Sequence, residues 1–540
     1  MDQIEKVVRD GWATMLGCEV DDDTNFFEAG GDSISAILLI SQLNAALGTS
    51  LAPHMLFEAE DFGAFRVLVQ AEHGGGTEQE QQQEPAGEQE APAARTGGAV
   101  SVTSRLQERW FGLAKEQLGN VDLFFEVTGE LDHRLFEAAL TELSRRHAVL
   151  RSVYEPGSPP LQRSLTDWRP PTRTQDLQGL GEAEVRAAVH AAVERSMRFF
   201  DLESEVPFEL ELLTLSPTEH LVIGHLHHIA TDGWSISLLF EDLERVYHAL
   251  EQGTDPATLE PAPQYEAFAA RQRAYVADGR IEEARDHWRS VFRGAGAPTG
   301  LPATLAPSSP AGSGDSSRYV NLLLAPGQAD AVRTYAQHQR VTVYNVLLTA
   351  FAQFLSEVTG KDDLLIGTST AGRQGGEDDT CLGVFISPMP LRISLTGAGP
   401  AQGLHALISE RMRDLAKYRM YPFADLIESV EPFAGKQLAE VFSIHFIYQN
   451  QPQPSAAHGR RYHQIDFQDA GLQRPHGLPM PRSRVLRELE VVAFDRLDGS
   501  LSLNFAFDPG RFNETEVAGW LRTYGAKVAE LVEEQPTTLG

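Results

Sequence analysis

The chain has 540 residues, 42% hydrophobic and 22% charged, enough to bury several cores in a globular protein. Acidic residues outnumber basic ones, 76 against 45, and the net charge of −31 argues against a broad nucleic-acid surface and against anionic membranes. Two cysteines, Cys18 and Cys381, give neither a disulfide framework nor a metal knuckle. No apolar run approaches the roughly 20 residues of a membrane span. The amphipathic, acidic start from Met1 to Met15 is no signal peptide, so a cytoplasmic chain with neither membrane nor nucleic-acid partner is expected.

Val7, Val8, Trp12 and Leu16 recur at helical spacing and open a small helical unit over residues 1–73. A loop carrying Asp21, Asp22, Asp23, Phe26 and Phe27 leads to Gly30-Gly31-Asp32-Ser33, and Ile34, Ile37, Leu38, Ile40 and Leu43 continue a second helix to about Gly48. Met55 to Phe57 mark a short third helix and Phe62 to Ala71 a fourth, giving an all-α four-helix bundle with local contacts. Ser33, taken alone, is the N-cap of the second helix. From Gly74 to Gly98 a triple glycine gives way to a Glu/Gln-rich stretch, which predicts a disordered linker with a span of roughly 25–30 Å.

From Ala99 onward strands and helices alternate. Strands are expected over Asp122–Thr128, Leu150–Tyr154, Leu221–His227, Tyr319–Leu324, Leu364–Thr368, Met389–Leu395, Val441–Gln449 and Leu501–Phe507. Helices are expected over Arg134–His147, Trp234–Leu250, Thr342–Val358 and Gln402–Tyr418, with a Pro/Gly/Ser break from Gly294 to Ser317. The pattern is mixed α/β in two halves, residues 99–270 and 271–540.

His227-His228-Ile229-Ala230-Thr231-Asp232-Gly233 joins a strand to an amphipathic helix and places an imidazole on a constrained loop, where catalytic groups concentrate. His225 and His227 share one strand face while His228 takes the other, a poor arrangement for a three-histidine metal site, and no metal is expected.

The HHxxxDG pattern is shared by acyl-transferring enzymes built like chloramphenicol acetyltransferase, and the chain most closely resembles the condensation domains of nonribosomal peptide synthetases. Further segments carry this resemblance: Leu106-Gln107-Glu108-Arg109-Trp110-Phe111, Arg145 to Arg151, Tyr265-Glu266-Ala267-Phe268, Ile366 to Arg373 and Tyr421 to Ile427. It implies a two-lobed α/β pseudo-dimer spanning Ala99 to about Leu531. It also implies a catalytic or positioning role for His228, a structural role for His227, pairing of Asp232 with Arg373, and close backbone approach at Gly233. One departure stands out: Ser387-Pro388 replaces the usual Asn-Thr after Gly383-Val384-Phe385-Ile386.

Phe26 to Ile34 resembles the attachment segment of a peptidyl carrier protein, which implies 4'-phosphopantetheine bound covalently to Ser33. The implied partners are a phosphopantetheinyl transferase, an adenylation domain acting in cis of a longer synthetase or in trans, and a downstream acceptor carrier. The implied reaction is attack of an amine on a carrier-bound thioester. The α-amino group, with a pKa of about 7.7–8.0, needs no base to become nucleophilic. An imidazole can remove the later proton or hold the amine in place. An epimerisation domain and a catalytically silent docking domain are the rival readings.

Overall fold

The computed structural model describes residues 3–16, 20–26, 39–40, 43, 46–47, 51, 55–56, 59, 61–74, 98–309, 317–397, 399, 401–431, 433–436, 441–449, 459–465, 478, 487–496 and 498–533. Cys18, Ser33 and residues 75–97 of the linker expected over 74–98 lie outside them.

Near the N-terminus, helices Gln3–Leu16 and Phe62–Gly74 pack around Trp12, and residues 39–40, 43, 46–47 and 55–56 are also helical. Val8, Trp12 and Leu16 recur at i, i+4, i+8 and so share one face. Phe26 and Phe62 meet the Trp12 ring edge-on at 5.1 and 5.2 Å, while Leu39, Leu43 and Val69 close the same core. Among the described residues no single helix is long and apolar enough to cross a membrane.

The rest of the chain is mixed α/β. Its first strands are β1 (Val100–Val102), β2 (Asn120–Thr128), β3 (Ser152–Glu155), β4 (Leu161–Ser164), β5 (Thr172–Asp176), β6 (Phe208–Ser216) and β7 (Glu219–His227). They are followed by β8 (Arg318–Leu324), β9 (Asp363–Ala371), β10 (Ile386–Ser394), β11 (Ile444–Gln449), β12 (Arg461–Gln464), β13 (Leu489–Asp495) and β14 (Leu501–Phe507). Three sheets result, ordered β1-β4-β3, β12-β2-β7-β6-β5 and β10-β9-β11-β13-β14-β8.

In the five-stranded sheet, side chains alternate between two covers. Phe125, Leu210, Leu212 and Val222 face helices His133–Arg146 and Gly233–Glu251, while Phe124, Leu213, Leu221 and Ile223 face helix Glu182–Ser196. Burial on both faces explains why β7 carries the apolar run Leu221-Val222-Ile223 instead of alternating with polar residues. In the six-stranded sheet, Ile444, Phe446, Leu489, Val491, Leu503 and Phe505 share a core with helices Val343–Thr359 and Glu514–Glu533.

The second half lends chain to the first. The expected boundary at residues 270/271 falls inside helix Tyr265–Ala277. Strand β12, from the second half, pairs antiparallel with β2 of the first sheet, and Cys381, Leu382, Val384 and Phe385 belong to the first core. Local periodicity carries no sign of such long-range pairing.

Candidate active site

The register of β2 against β7 sets the site. Asn120 lies opposite His227, so the loop before β2 runs beside the end of β7. There Gly119 O accepts a hydrogen bond from the His228 N–H (2.7 Å), and Leu118 O accepts one from His227 Nε2 (2.9 Å). Only glycine suits position 119: its φ is +103°, and a Cβ would lie 2.6 Å from the His227 ring. β7 stops at His227, where the expected strand also ends, because the next N–H groups enter turn bonds: Ala230 N–H to His227 O, Thr231 N–H to His228 O.

His227 uses both ring nitrogens, since its Nδ1 accepts from the Ile229 N–H at 3.0 Å. It is 1% exposed, and burial pushes its pKa down to about 3, so it is a neutral strut for the turn. His228 differs. Its Nδ1 lies 3.2 Å from Thr231 O, and a carbonyl can only accept, so the proton sits on Nδ1 and Nε2 keeps its lone pair. The ring stacks on Trp110, with centroids 4.6 Å apart and planes 20° from parallel. Burial holds its pKa below the ordinary histidine value, against the upward pull of Thr231 O and the Asp232 charge. The imidazole is therefore neutral near pH 7, with one fixed tautomer.

Asp232 is engaged elsewhere. It caps helix Gly233–Glu251: Oδ1 accepts from Ser235 N–H (2.9 Å) and from Arg373 Nη2 (3.3 Å), while Oδ2 accepts from Phe385 N–H (2.8 Å). Arg373 is 1% exposed and also donates to Asp378 O, Cys381 O (2.9 Å) and Ser235 Oγ (2.8 Å), with its guanidinium carbon 3.9 Å from the Phe385 ring centroid. The pair expected from the sequence thus pins the helix start to the segment between β9 and β10. Gly233 is the first residue of that helix. His225 is occupied by Asp122 Oδ1 at 3.0 Å and by the Phe200 ring, and among the described residues no group of three His, Cys, Asp or Glu side chains fits a metal ion.

Ser387 and Pro388 lie on β10, an edge strand, opposite Thr370 and Ser369. A proline tolerates that position because an edge strand leaves half its N–H groups unused. Ser387 is 3% exposed, and among the described residues its hydroxyl reaches only Pro388 O, at 3.5 Å.

Several neighbours of His228 escaped sequence reasoning. Arg109, one residue before Trp110, and Glu490 of the second half lie near enough for their charges to act on its ring, and Glu490 is itself flanked by Arg487 and His445. The register of β11 against β13 puts His445 opposite Glu490, 3.8 Å apart, and Arg487 Nη1 lies 3.3 Å from Glu490. Burial and Arg487 push His445 down to about 4. Glu490 stays below the usual carboxylate range because His445 and Arg487 outweigh its burial. No local pattern could have joined Arg109 to Glu490, which are brought together only by the tertiary fold.

A neutral, tautomer-locked histidine thus sits at a strand–helix turn that a buried Asp–Arg pair braces across the two α/β halves. Residues 102–538 match the family model described as "Condensation domain", and residues 6–65 match "Phosphopantetheine attachment site". The chain belongs to the condensation-domain family, with a phosphopantetheine carrier segment ahead of the condensation domain. It is similar to a linear gramicidin synthase of Brevibacillus parabrevis, 29% identical over 84% of this chain and 6% of that protein. It is also similar to surfactin synthase subunit 1 of Bacillus subtilis (strain 168), 26% identical over 98% and 14%. The chain therefore spans only a small part of these relatives. The X-domain from teicoplanin biosynthesis shares the fold, with a TM-score of 0.67, 21% identity, and coverage of 82% of this chain and 98% of that one.

A covalent 4'-phosphopantetheine requires an exposed hydroxyl, and Ser33 lies outside the described residues. The described residues on either side of it, Phe26 and Leu39, are each at most 1% exposed and belong to one core.

Proposed function

We propose that this chain forms an amide bond between an aminoacyl or peptidyl donor on its own carrier and the amine of an acceptor held by a downstream carrier. In this reading residues 1–73 form a four-helix peptidyl carrier, 74–98 a flexible linker, and 99–270 and 271–540 the two lobes of a condensation domain. 4'-Phosphopantetheine at Ser33 supplies a thiol on a long arm that holds the acyl group as a thioester.

The observation that carries the proposal is His228, with Nδ1–H engaged by Thr231 O and Nε2 left as an acceptor beside Trp110. Nε2 accepts a hydrogen bond from the attacking amine and holds it at the carbonyl carbon, an advantage of orientation. A depressed pKa makes this imidazole a weak base, which favours positioning over proton abstraction. His227 fixes the turn, Asp232 and Arg373 fix its junction with the second half, and Gly233 leaves the helix start without a side chain.

The partners in this proposal are a phosphopantetheinyl transferase, an adenylation domain in cis or in trans, and the acceptor carrier. The setting is the reducing cytoplasm, where a free thiol persists. The tether gives the chain's own carrier an effective concentration that reaches millimolar for short flexible linkers. The test is an assay with an aminoacyl-loaded carrier and an amine acceptor, read by mass spectrometry. Amide formation supports the proposal. An inverted stereocentre would assign epimerisation, and neither product would assign a docking role.

A further inference from the structure

Three charged groups act through space on the His228 ring: Asp232, Glu490 and Arg109. The two carboxylates are neutralised within the fold, Asp232 by Arg373 at 3.3 Å and Glu490 by Arg487 at 3.3 Å. The cation is not. Among the described residues Arg109 has neither an ion pair nor a hydrogen bond, although Arg105, one turn earlier on helix Arg105–Ala114, is bound by Glu108 and Asp425. The Arg109 guanidinium lies against two rings instead, 5.5 Å from the Trp110 centroid and 5.1 Å from that of Phe423. Trp110 is the ring stacked on His228, and its own Nε1–H is buried without an acceptor among the described residues.

A partly dehydrated guanidinium without a counter-charge costs free energy in the resting protein. Burial, with repulsion from Arg487, pushes it down to about 9, which still leaves it a cation at neutral pH. Such a group is balanced only when negative charge reaches it.

The reaction proposed above generates that charge. The amine lone pair forms a bond to the thioester carbonyl carbon, and the carbonyl π electrons move to oxygen, leaving O⁻ and an ammonium nitrogen. The nitrogen loses a proton, the carbonyl re-forms, the C–S bond breaks, and the leaving thiolate takes up a proton. Amine and thioester become amide and thiol. We propose that Arg109 is a catalytic residue that donates to the thioester oxygen as it becomes negative, an inference that rests on the amide-forming reading. The phosphate of the prosthetic arm is not a competing source of charge, since it lies at the opposite end of the arm from the sulfur.

The experiment has a kinetic arm and a binding arm, run on the full chain after circular dichroism shows that each variant is folded. With an N-acetylcysteamine thioester donor, Arg109→Gln should lower kcat and kcat/KM together, by about 10²–10³-fold, the cost of removing one oxyanion donor. Arg109→Lys should retain more activity than Arg109→Gln, and added guanidinium chloride should restore part of the rate of Arg109→Ala. A raised KM with kcat preserved, or no rescue, would overturn the proposal in favour of a binding or purely structural role. In calorimetry, the wild-type protein should bind a methyl alkylphosphonate monoanion about tenfold or more tightly than its uncharged dimethyl ester, and Arg109→Gln should lose that preference. A wild type that binds both alike, or an Arg109→Gln protein that keeps the preference, also overturns it. A wild type that shows the preference but makes no amide would sink the amide reading while the anion-receiving role of Arg109 stands.

Discussion

Replacing Asp232 tests the junction between the two halves. Each carboxylate oxygen accepts from N–H donors: Oδ1 from Ser235 and Arg373, Oδ2 from Phe385. Asp232→Ala leaves Arg373, at 1% exposure, without its counter-charge, and breaking one side of a buried ion pair costs about 3–5 kcal/mol. The lost helix cap, about 1 kcal/mol, and the stranded Phe385 N–H, about 1–3 kcal/mol, belong to the same carboxylate and overlap with that figure. Asp232→Asn should be nearly as damaging as Asp232→Ala. An amide offers one oxygen and one NH2, so an N–H would face another N–H on either side. For Asp232→Ala and for Arg373→Ala we expect Tm to fall by about 3–5 °C, since a domain of this size unfolds with roughly 0.9 kcal/mol/K of entropy. The double variant should cost less than the sum of the two, because no orphaned charge remains. The assay is thermal and urea unfolding followed by near-UV circular dichroism. Melts indistinguishable from wild type for both single variants, or a fully stable Asp232→Asn, would refute this account of the pair.

A phosphopantetheinyl transferase with coenzyme A should add one prosthetic group, visible by intact mass, and Ser33→Ala should abolish it at a stability cost no greater than a lost cap, about 0.5–2 kcal/mol; modification of the Ala variant would remove Ser33 from the carrier. His228→Ala should slow amide formation with the fold intact, and His228→Gln or His228→Asn should keep part of the rate, because an amide oxygen accepts the same hydrogen bond. Since the His228 pKa is lowered, its ring-proton NMR signals should titrate below 6.5, and a midpoint at or above 6.5 would contradict the burial of the ring. Gly119→Ala should depress both stability and amide formation, because the new Cβ and the positive φ displace the His227 ring; wild-type kinetics in this variant would count against the bracing role of the loop. Stability should also drop on acidification. Folded His227 titrates at about 3 and His445 and His405 at about 4, whereas unfolded histidines protonate near 6.5. Their contribution is complete above 6.5 and lost below it at about 1.4 kcal/mol per pH unit for each. Equal urea midpoints at pH 7.5 and 5.0 would exclude it.

What the sequence made legible follows the range of the interactions. Leu501–Phe507 coincides with β14, and Trp234–Leu250 lies one residue inside its helix at each end, because apolar spacing and caps are local signals. The strand expected from Val441 starts only at Ile444. β5 went unread because Thr-Arg-Thr-Gln-Asp is a polar edge strand without alternation, and β12 because its partner β2 is remote in sequence. At the site, the Asp232–Arg373 pair was legible only through family resemblance. The Leu118-Gly119 brace and the charges of Arg109, Arg487 and Glu490 were not, since single residues on separate elements leave no periodic trace.

Helix Gly233–Glu251 is held at both ends by arginines from the second half. Arg373 grips the cap at Asp232, and Arg460 forks onto Glu244 at 3.0 Å and Glu251 at 3.0 Å while lying over Tyr247 at 4.2 Å. Nineteen residues at 1.5 Å each separate the helix ends by about 28 Å. Both arginines sit on stretches of the second half that fold into the first: Arg460 enters β12, which pairs with β2, and Arg373 leads to Cys381–Phe385 in the first core. The helix is clamped at both ends by borrowed chain, so separating the halves would mean stripping that chain out of a foreign core, not parting two surfaces.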